Sequence, residues 1–216
     1  MFPMRLRYLL AASFVCFSTM AMAASDTPAG MAGLTRGTVS DNAYVNEYFN
    51  IRMGIPEGWA ALTDDEFEGL SDERLAEEFR ALRAGAPIRS LRTLPLAMLV
   101  QPRTGANVIV IGQPLNGRTE SDASAIASMN HLDARTRPGV KTVSGISTVA
   151  LGGKTFRRFD MVKAGRNADV RQSIYMATFG DYFIMMITTA RANDEKGATA
   201  ALEGLTFTSG TMVAQH

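Results

Sequence analysis

From Phe49 to Ile55 apolar and polar positions alternate, with Phe49, Ile51, Met53 and Ile55 on one side, the period of a half-buried strand. Pro56-Glu57-Gly58 stops that strand, and Trp59 follows the turn as a core residue. Thr63-Asp64-Asp65-Glu66 has the form of a capping box, in which the threonine caps the amide three residues on and Glu66 reaches back. Phe67, Leu70, Leu75, Phe79 and Leu82 continue at helical spacing, with a break near Gly69 and Ser71; Gly85 and Pro87 end the stretch. Leu96–Val100 and Val108–Ile111 are solid apolar runs, the pattern of strands covered on both faces. A second helix is predicted from Glu120 to about Arg135, with Ala125, Ile126, Met129 and Leu132 inward, closed by Pro138-Gly139.

From Val140 onward the chain reads as a four-strand antiparallel meander. Gly152-Gly153 is a two-residue hairpin signal between Val140–Leu151 and Lys154–Lys163. The segment from Gly165 to Ala168 turns the chain into Val170–Phe179, and Gly180-Asp181 turns it into Tyr182–Thr189. Asn193 is placed to cap a last helix over Asp194–Leu202, Gly204 to stop it, and Leu205 and Phe207 to end the domain. Met161, Met176, Met185 and Met186 read as an adaptable sheet core. Antiparallel hairpins with separate helices define an α+β protein, its sheet carrying about three helices.

The first residues change the picture of where this domain works. Arg5 and Arg7 precede a mostly apolar stretch from Tyr8 to Met20, too short for a comfortable bilayer span, and Ala21-Met22-Ala23 supplies the small-x-small pattern of a signal-peptidase site. Export with cleavage between Ala23 and Ala24 is expected, without stable membrane insertion afterwards. The prevalence of arginine over lysine and the abundance of alanine suggest a GC-rich bacterial genome, so the expected location is the periplasm. Residues 24–36 read as a flexible segment, 37–208 as a single α+β domain and 209–216 as a tail.

Leader removal also changes the chemistry. It takes away Cys16, the only cysteine, and two arginines, turning a formal charge of +1 into −1. Disulfides, thiolate nucleophiles and cysteine-ligated metals are thereby excluded from the processed chain. Near-neutrality argues against nucleic acid as a partner. Of the two histidines, His216 is terminal and His131 stands without a second ligand at helical spacing, so no metal site is expected. His131 reads as a solvent-exposed helix residue. There is no Gly-x-Ser-x-Gly or Ser-x-x-Lys segment, and Gly153-Lys154-Thr155 lacks the earlier glycine of a phosphate loop. The expected protein is therefore not an enzyme and has no cofactor; a hydrolase built on paired carboxylates is the residual catalytic alternative.

Charge is segregated along the chain. Glu57–Glu78 holds nine acids and only Arg74, whereas 79–119 holds no acid and six arginines. Helix-end electrostatics accounts for part of this, since acids favour a helix start and bases its end. The remainder reads as a partner surface on which Arg80, Arg83, Arg89, Arg92 and Arg103 present guanidinium forks to carboxylates or phosphates. Arg157, Arg158, Asp160 and Arg171 are expected to pair across strands.

Two groups of residues carry a resemblance. Tyr44-Val45-Asn46-Glu47-Tyr48-Phe49 with Ile51 and Pro56-Glu57-Gly58-Trp59 form the first. Gly153-Lys154-Thr155-Phe156, Gln172-Ser173-Ile174-Tyr175 and Gly180-Asp181-Tyr182-Phe183 form the second. Over about residues 38–208 the chain resembles the PsbP-like, or DcrB-like, α/β/α sandwich superfamily. That resemblance implies a sandwich fold and a non-enzymatic role as a protein-binding or assembly factor, and it transfers no catalytic residue. The expected function is an exported accessory factor for a protein or peptide partner. The alternative is a periplasmic immunity-type inhibitor of a delivered toxin.

Overall fold

The protein is described by a computed structural model covering residues 37–63, 65–66, 77, 80, 94–115, 117, 119–165, 167–192 and 194–207. Two antiparallel sheets form the frame. The smaller contains β1 (Thr38–Ser40), β2 (Ala43–Asn46), β3 (Ile51–Gly54) and, from the far end of the chain, β12 (Leu205–Phe207), in that order. The larger is ordered β4 (Ala60–Ala61), β5 (Leu94–Val100), β6 (Asn107–Pro114), β11 (Tyr182–Arg191), β10 (Val170–Phe179), β9 (Lys154–Lys163) and β7 (Val140–Val143), with β8 (Ser147–Leu151) also pairing β9. Among the described residues two helices are complete, α1 (Glu120–Thr136) and α2 (Glu195–Glu203). The chain is thus α+β with antiparallel sheets.

Both faces of the larger sheet are buried, which is why its central strands are apolar without alternation. Along β11, Ile184 and Met186 face the small sheet and α2, packing with Ile51, Met53, Ala201 and Leu202. Phe183, Met185 and Ile187 face the other way, toward Ala123, Ala127 and Ala134 of α1. The four methionines expected in the sheet core, Met161, Met176, Met185 and Met186, are all buried.

The first strand pattern holds: Phe49, Ile51, Met53 and Ile55 are all buried. So does the Gly152-Gly153 hairpin, where Leu151 pairs Lys154 across a two-residue turn. The strand expected from Val140 to Leu151 is instead two strands. Val143 pairs Met161, but Ser147 pairs Arg158, so the two registers differ by one residue. Ser144 sits at the slip. Its amide donates to the Asp160 carbonyl, and its hydroxyl accepts from the Asp160 amide, both at 2.8 Å. A single extra residue of this kind interrupts a ladder and bends the strand. The first predicted helix falls largely outside the described residues, but its cap is in place. Thr63 Oγ1 donates to Glu66 Oε2 at 2.9 Å, and the Glu66 amide lies 3.4 Å from Thr63 Oγ1.

The inward face predicted for α1 is corrected. Ala123, Ala127 and Ala134 face the sheet, Ile126 is half-buried, and Ala125, Met129 and Leu132 are exposed. Alanines let the helix lie close to the sheet, which the larger side chains would prevent.

Edge-on rings join the two sheets at one end. Phe49 lies 5.3 Å from Tyr182 and 6.4 Å from Phe179, while Tyr48 lies 5.9 Å from Tyr182. Burial pushes the Tyr182 phenol far above its ordinary value, and Tyr48 and the Asp181 carboxylate push it further. Burial also raises Tyr175, opposed by the Arg158 guanidinium. A phenol raised in the folded state contributes stability that is complete below its unfolded value near 10 and is lost as pH rises through the folded value. The urea midpoint should therefore stay level from about pH 7 to 9 and fall above about pH 10. The expected slope is up to about 1.4 kcal/mol per pH unit for each of these two tyrosines. Tyr182→Phe should make the fall shallower; an unchanged slope would remove Tyr182 from this account.

Candidate functional site

A recess of about 370 Å³ opens between the β1–β2 hairpin and the β4–β5 edge of the larger sheet. Its floor is Leu96, Ala97 and Met98 of β5, one wall is Ala61, Leu62 and Thr63, and the opposite wall is Gly37, Val39 and Tyr44. The floor has a local cause. The register of β5 on β6 slips between Pro95 and Ala97, so Leu96 is an extra residue, and Leu96 and Ala97 both join the core shared with the small sheet. A bulge re-aims side chains in this way, and proline suits such a position because it has no amide to donate.

The walls follow equally from local chemistry. β4 is only two residues long and pairs β5 at Leu99 and Val100; one further bond runs from the Leu62 amide to the Met98 carbonyl at 2.9 Å. Thr63 then turns its hydroxyl to Glu66, closing the rim with a helix cap. On the other wall, Gly37 has φ +84°, and a Cβ there would lie 2.4 Å from the Val45 carbonyl oxygen and 2.9 Å from the Tyr44 ring. Only glycine lets the chain pass so close to Tyr44. Val39 is 54% exposed at this rim. The lining is thus mostly apolar, with backbone, Thr63 and Tyr44 as its polar groups, and suits an apolar side chain.

Of the expected partner-binding arginines, Arg80 is exposed at a helical position, and Arg103 is exposed on the β5–β6 turn. That turn is held by Gln101, whose Oε1 accepts from the Thr104 amide at 2.7 Å and from its hydroxyl at 2.9 Å. Arg83, Arg89 and Arg92 lie outside the described residues.

The polar strand residues also differ from expectation. Arg158 and Asp160 pair along β9 rather than across strands, through two bonds of 2.9 Å. The Arg158 guanidinium lies 5.2 Å from the centre of the Tyr175 ring, with its Nη2 3.5 Å from the Ser173 hydroxyl. This in-strand fork leaves both charges partly solvated, at 29% and 27% exposure, so it positions Arg158 more than it stabilises the fold. His131, expected at the surface, is half-buried. Its ring lies edge-on to Phe159 at 5.2 Å, and Nε2 donates to the Ser144 carbonyl at 2.7 Å. That bond ties α1 to the slip between β7 and β8. Among the described residues no group of three His, Cys, Asp or Glu is placed to hold a metal ion, and no helix is long and apolar enough to cross a membrane.

The recess is the feature sequence reasoning missed. Its one legible signal was Asp41-Asn42, a turn pair between short segments; both residues adopt positive φ, at 47° and 54°, and fold β1 onto β2.

No protein-family model and no curated protein matches the chain. Among solved structures it is similar to a Bacteroides thetaiotaomicron protein, at 11% identity and a TM-score of 0.47 over 81% of this chain and 49% of that one. The chain spans about half that protein's length. It is also similar to Mycobacterium tuberculosis LpqN, whose structure is described as involved in cell envelope biogenesis, at 16% identity and a TM-score of 0.44 over 72% and 82% of the two chains. Cyanobacterial PsbP from Synechocystis matches at 10% identity and a TM-score of 0.43, over 85% of this chain and 98% of its own. PsbP-like proteins, the group its sequence segments resemble, are thus among its structural likenesses. At these TM-scores the likenesses carry no argument about what the chain does.

Proposed function

We propose that this chain is an exported, non-enzymatic binding factor of the periplasm whose recess beside β4 and β5 receives an extended apolar segment of another protein. The reading is carried by the recess of about 370 Å³, lined mostly by apolar residues. A volume of this order accommodates one or two large side chains, and recognition of that kind combines apolar pockets with backbone contacts at a sheet edge. The expected role of Arg80, Arg83, Arg89, Arg92 and Arg103 in binding carboxylates of a partner belongs to the same reading. The fold is completed as an α/β/α sandwich of three helices, forming one domain over residues 37–208.

The test uses a random peptide display library on the immobilised protein. Selected peptides should share adjacent apolar residues. Ala61→Arg, which drives a charged side chain into the mouth, should weaken them at least about tenfold, or about 1.4 kcal/mol, with an unchanged circular dichroism spectrum. Failure to enrich any peptide, or binding indifferent to Ala61→Arg, would overturn the assignment.

A further inference from the structure

Strand β1 is the outer strand of the smaller sheet: β2 pairs one edge of it, and among the described residues no strand pairs the other. Which backbone groups face that open edge follows from the turn. Asp41 and Asn42, with φ of 47° and 54°, make a two-residue hairpin of the primed kind. In such a hairpin the flanking pair, Ser40 and Ala43, exchanges both amide–carbonyl bonds, and bonded pairs then alternate with unbonded ones along the ladder. Thr38 therefore bonds Val45, while Val39 stands opposite Tyr44 without bonding it. The far side of β2 agrees. The Ile55 amide donates to the Asn42 carbonyl at 2.8 Å, so Asn42 and Tyr44 turn their backbone groups to β3, and Ala43 and Val45 turn theirs to β1.

The Val39 amide and carbonyl thus both point outward from the sheet edge, and neither meets a partner among the described residues. The residue is 54% exposed, and it lines the recess together with Gly37 and Tyr44. An open edge is commonly blunted by charge or proline, and Thr38-Val39-Ser40 carries neither.

We propose that this donor–acceptor pair anchors the extended segment of the partner protein, which adds to the smaller sheet as an antiparallel strand beside β1. The residue that exchanges two backbone bonds with Val39 is the one whose side chain enters the recess. This anchor rests on the recess receiving such a segment, and it identifies how the occupant is held. An outward amide and carbonyl on one residue are matched by the carbonyl and amide of one residue in a second extended chain. Every pairing in the smaller sheet is antiparallel, so a strand added in that sense continues its ladder. Residues directly opposite one another in a sheet present their side chains to the same face. A side chain opposite Val39 therefore falls on the face that Val39 and Tyr44 share, above the floor of Leu96, Ala97 and Met98. Since β1 has only three residues, it offers one such pair, and the side chain in the recess supplies the selectivity.

The full chain is titrated by fluorescence anisotropy with a labelled copy of the peptide most enriched in the random peptide display. Val39→Pro removes the outward amide and no ladder bond, a substitution an edge strand tolerates, so the urea midpoint should hold. The peptide Kd should rise at least about tenfold, because the lost bond also strands a peptide carbonyl. Val39→Ala trims the side chain, keeps the amide and should weaken binding less. A second readout leaves the protein untouched. Among peptides N-methylated at single positions, the most weakened should be the one modified at the large apolar residue whose replacement by alanine also costs most. Binding that Ala61→Arg weakens and Val39→Pro does not would overturn the anchor and leave the recess reading standing. N-methylation tolerated at every position, or a dimer that Val39→Pro returns to monomer, would overturn it equally. Failure to enrich any peptide would overturn both.

Discussion

Truncating Phe156 to alanine should lower the unfolding free energy by about 3–5 kcal/mol, the range for deleting an aromatic from a sealed core. Phe156 has no accessible surface. Its ring lies 6.1 Å from Phe179 and 5.9 Å from Phe207, and those two rings lie 5.3 Å apart, so three elements from distant parts of the chain close on one another here. Lys154 covers the cluster, with Nζ 3.9 Å from the centre of the Phe179 ring. The cavity left by truncation cannot collapse readily, because strands on both sides are held by their ladders. Urea denaturation should show a lower midpoint at an unchanged slope. A loss below about 1 kcal/mol would mean that the β8–β9 hairpin does not seal the core as described.

Gly152→Ala tests the same corner from its backbone. Gly152 has φ +55°, and an alanine Cβ there would lie 2.7 Å from the Leu205 carbonyl oxygen and 2.9 Å from the Phe207 ring. The left-handed backbone alone costs alanine about 1–2 kcal/mol. Displacement of β12 should bring the total to about 3 kcal/mol, with faster amide exchange in β3, on which β12 pairs. Gly153→Ala is the internal control: its φ is +85°, but its Cβ would meet nothing within 4 Å. It should carry the backbone cost alone. Equal losses for the two substitutions would show that the hairpin does not press on β12.

Much of the fold was legible where local chemistry decides it. The alternation of Phe49, Ile51, Met53 and Ile55, the glycine pair at 152–153 and the Thr63–Glu66 cap each depend on neighbours a few residues away. The unbroken apolar runs at Leu96–Val100 and Val108–Ile111 announced strands covered twice. The recess was not legible, because it joins Gly37 and Val39 to Ala61 and Leu96 through a bulge that pattern alone does not reveal. The in-strand fork of Arg158 and Asp160 was misjudged as cross-strand because charge type does not indicate direction along a ladder. His131 was misjudged because its partner is a backbone carbonyl, and every residue carries one.

The sequence by itself determined the sites of most strands and turns, since turn and cap chemistry are short-range. Tertiary structure alone decided three other matters. It set β12 beside β3 and β11 beside β6, pairings between segments far apart in the chain whose strands would read the same in many orders. It chose the inward face of α1, where two stripes of apolar residues competed and the alanines won by fitting closest to the sheet. It also formed the recess, because a cavity belongs to the space between elements and no single segment encodes it.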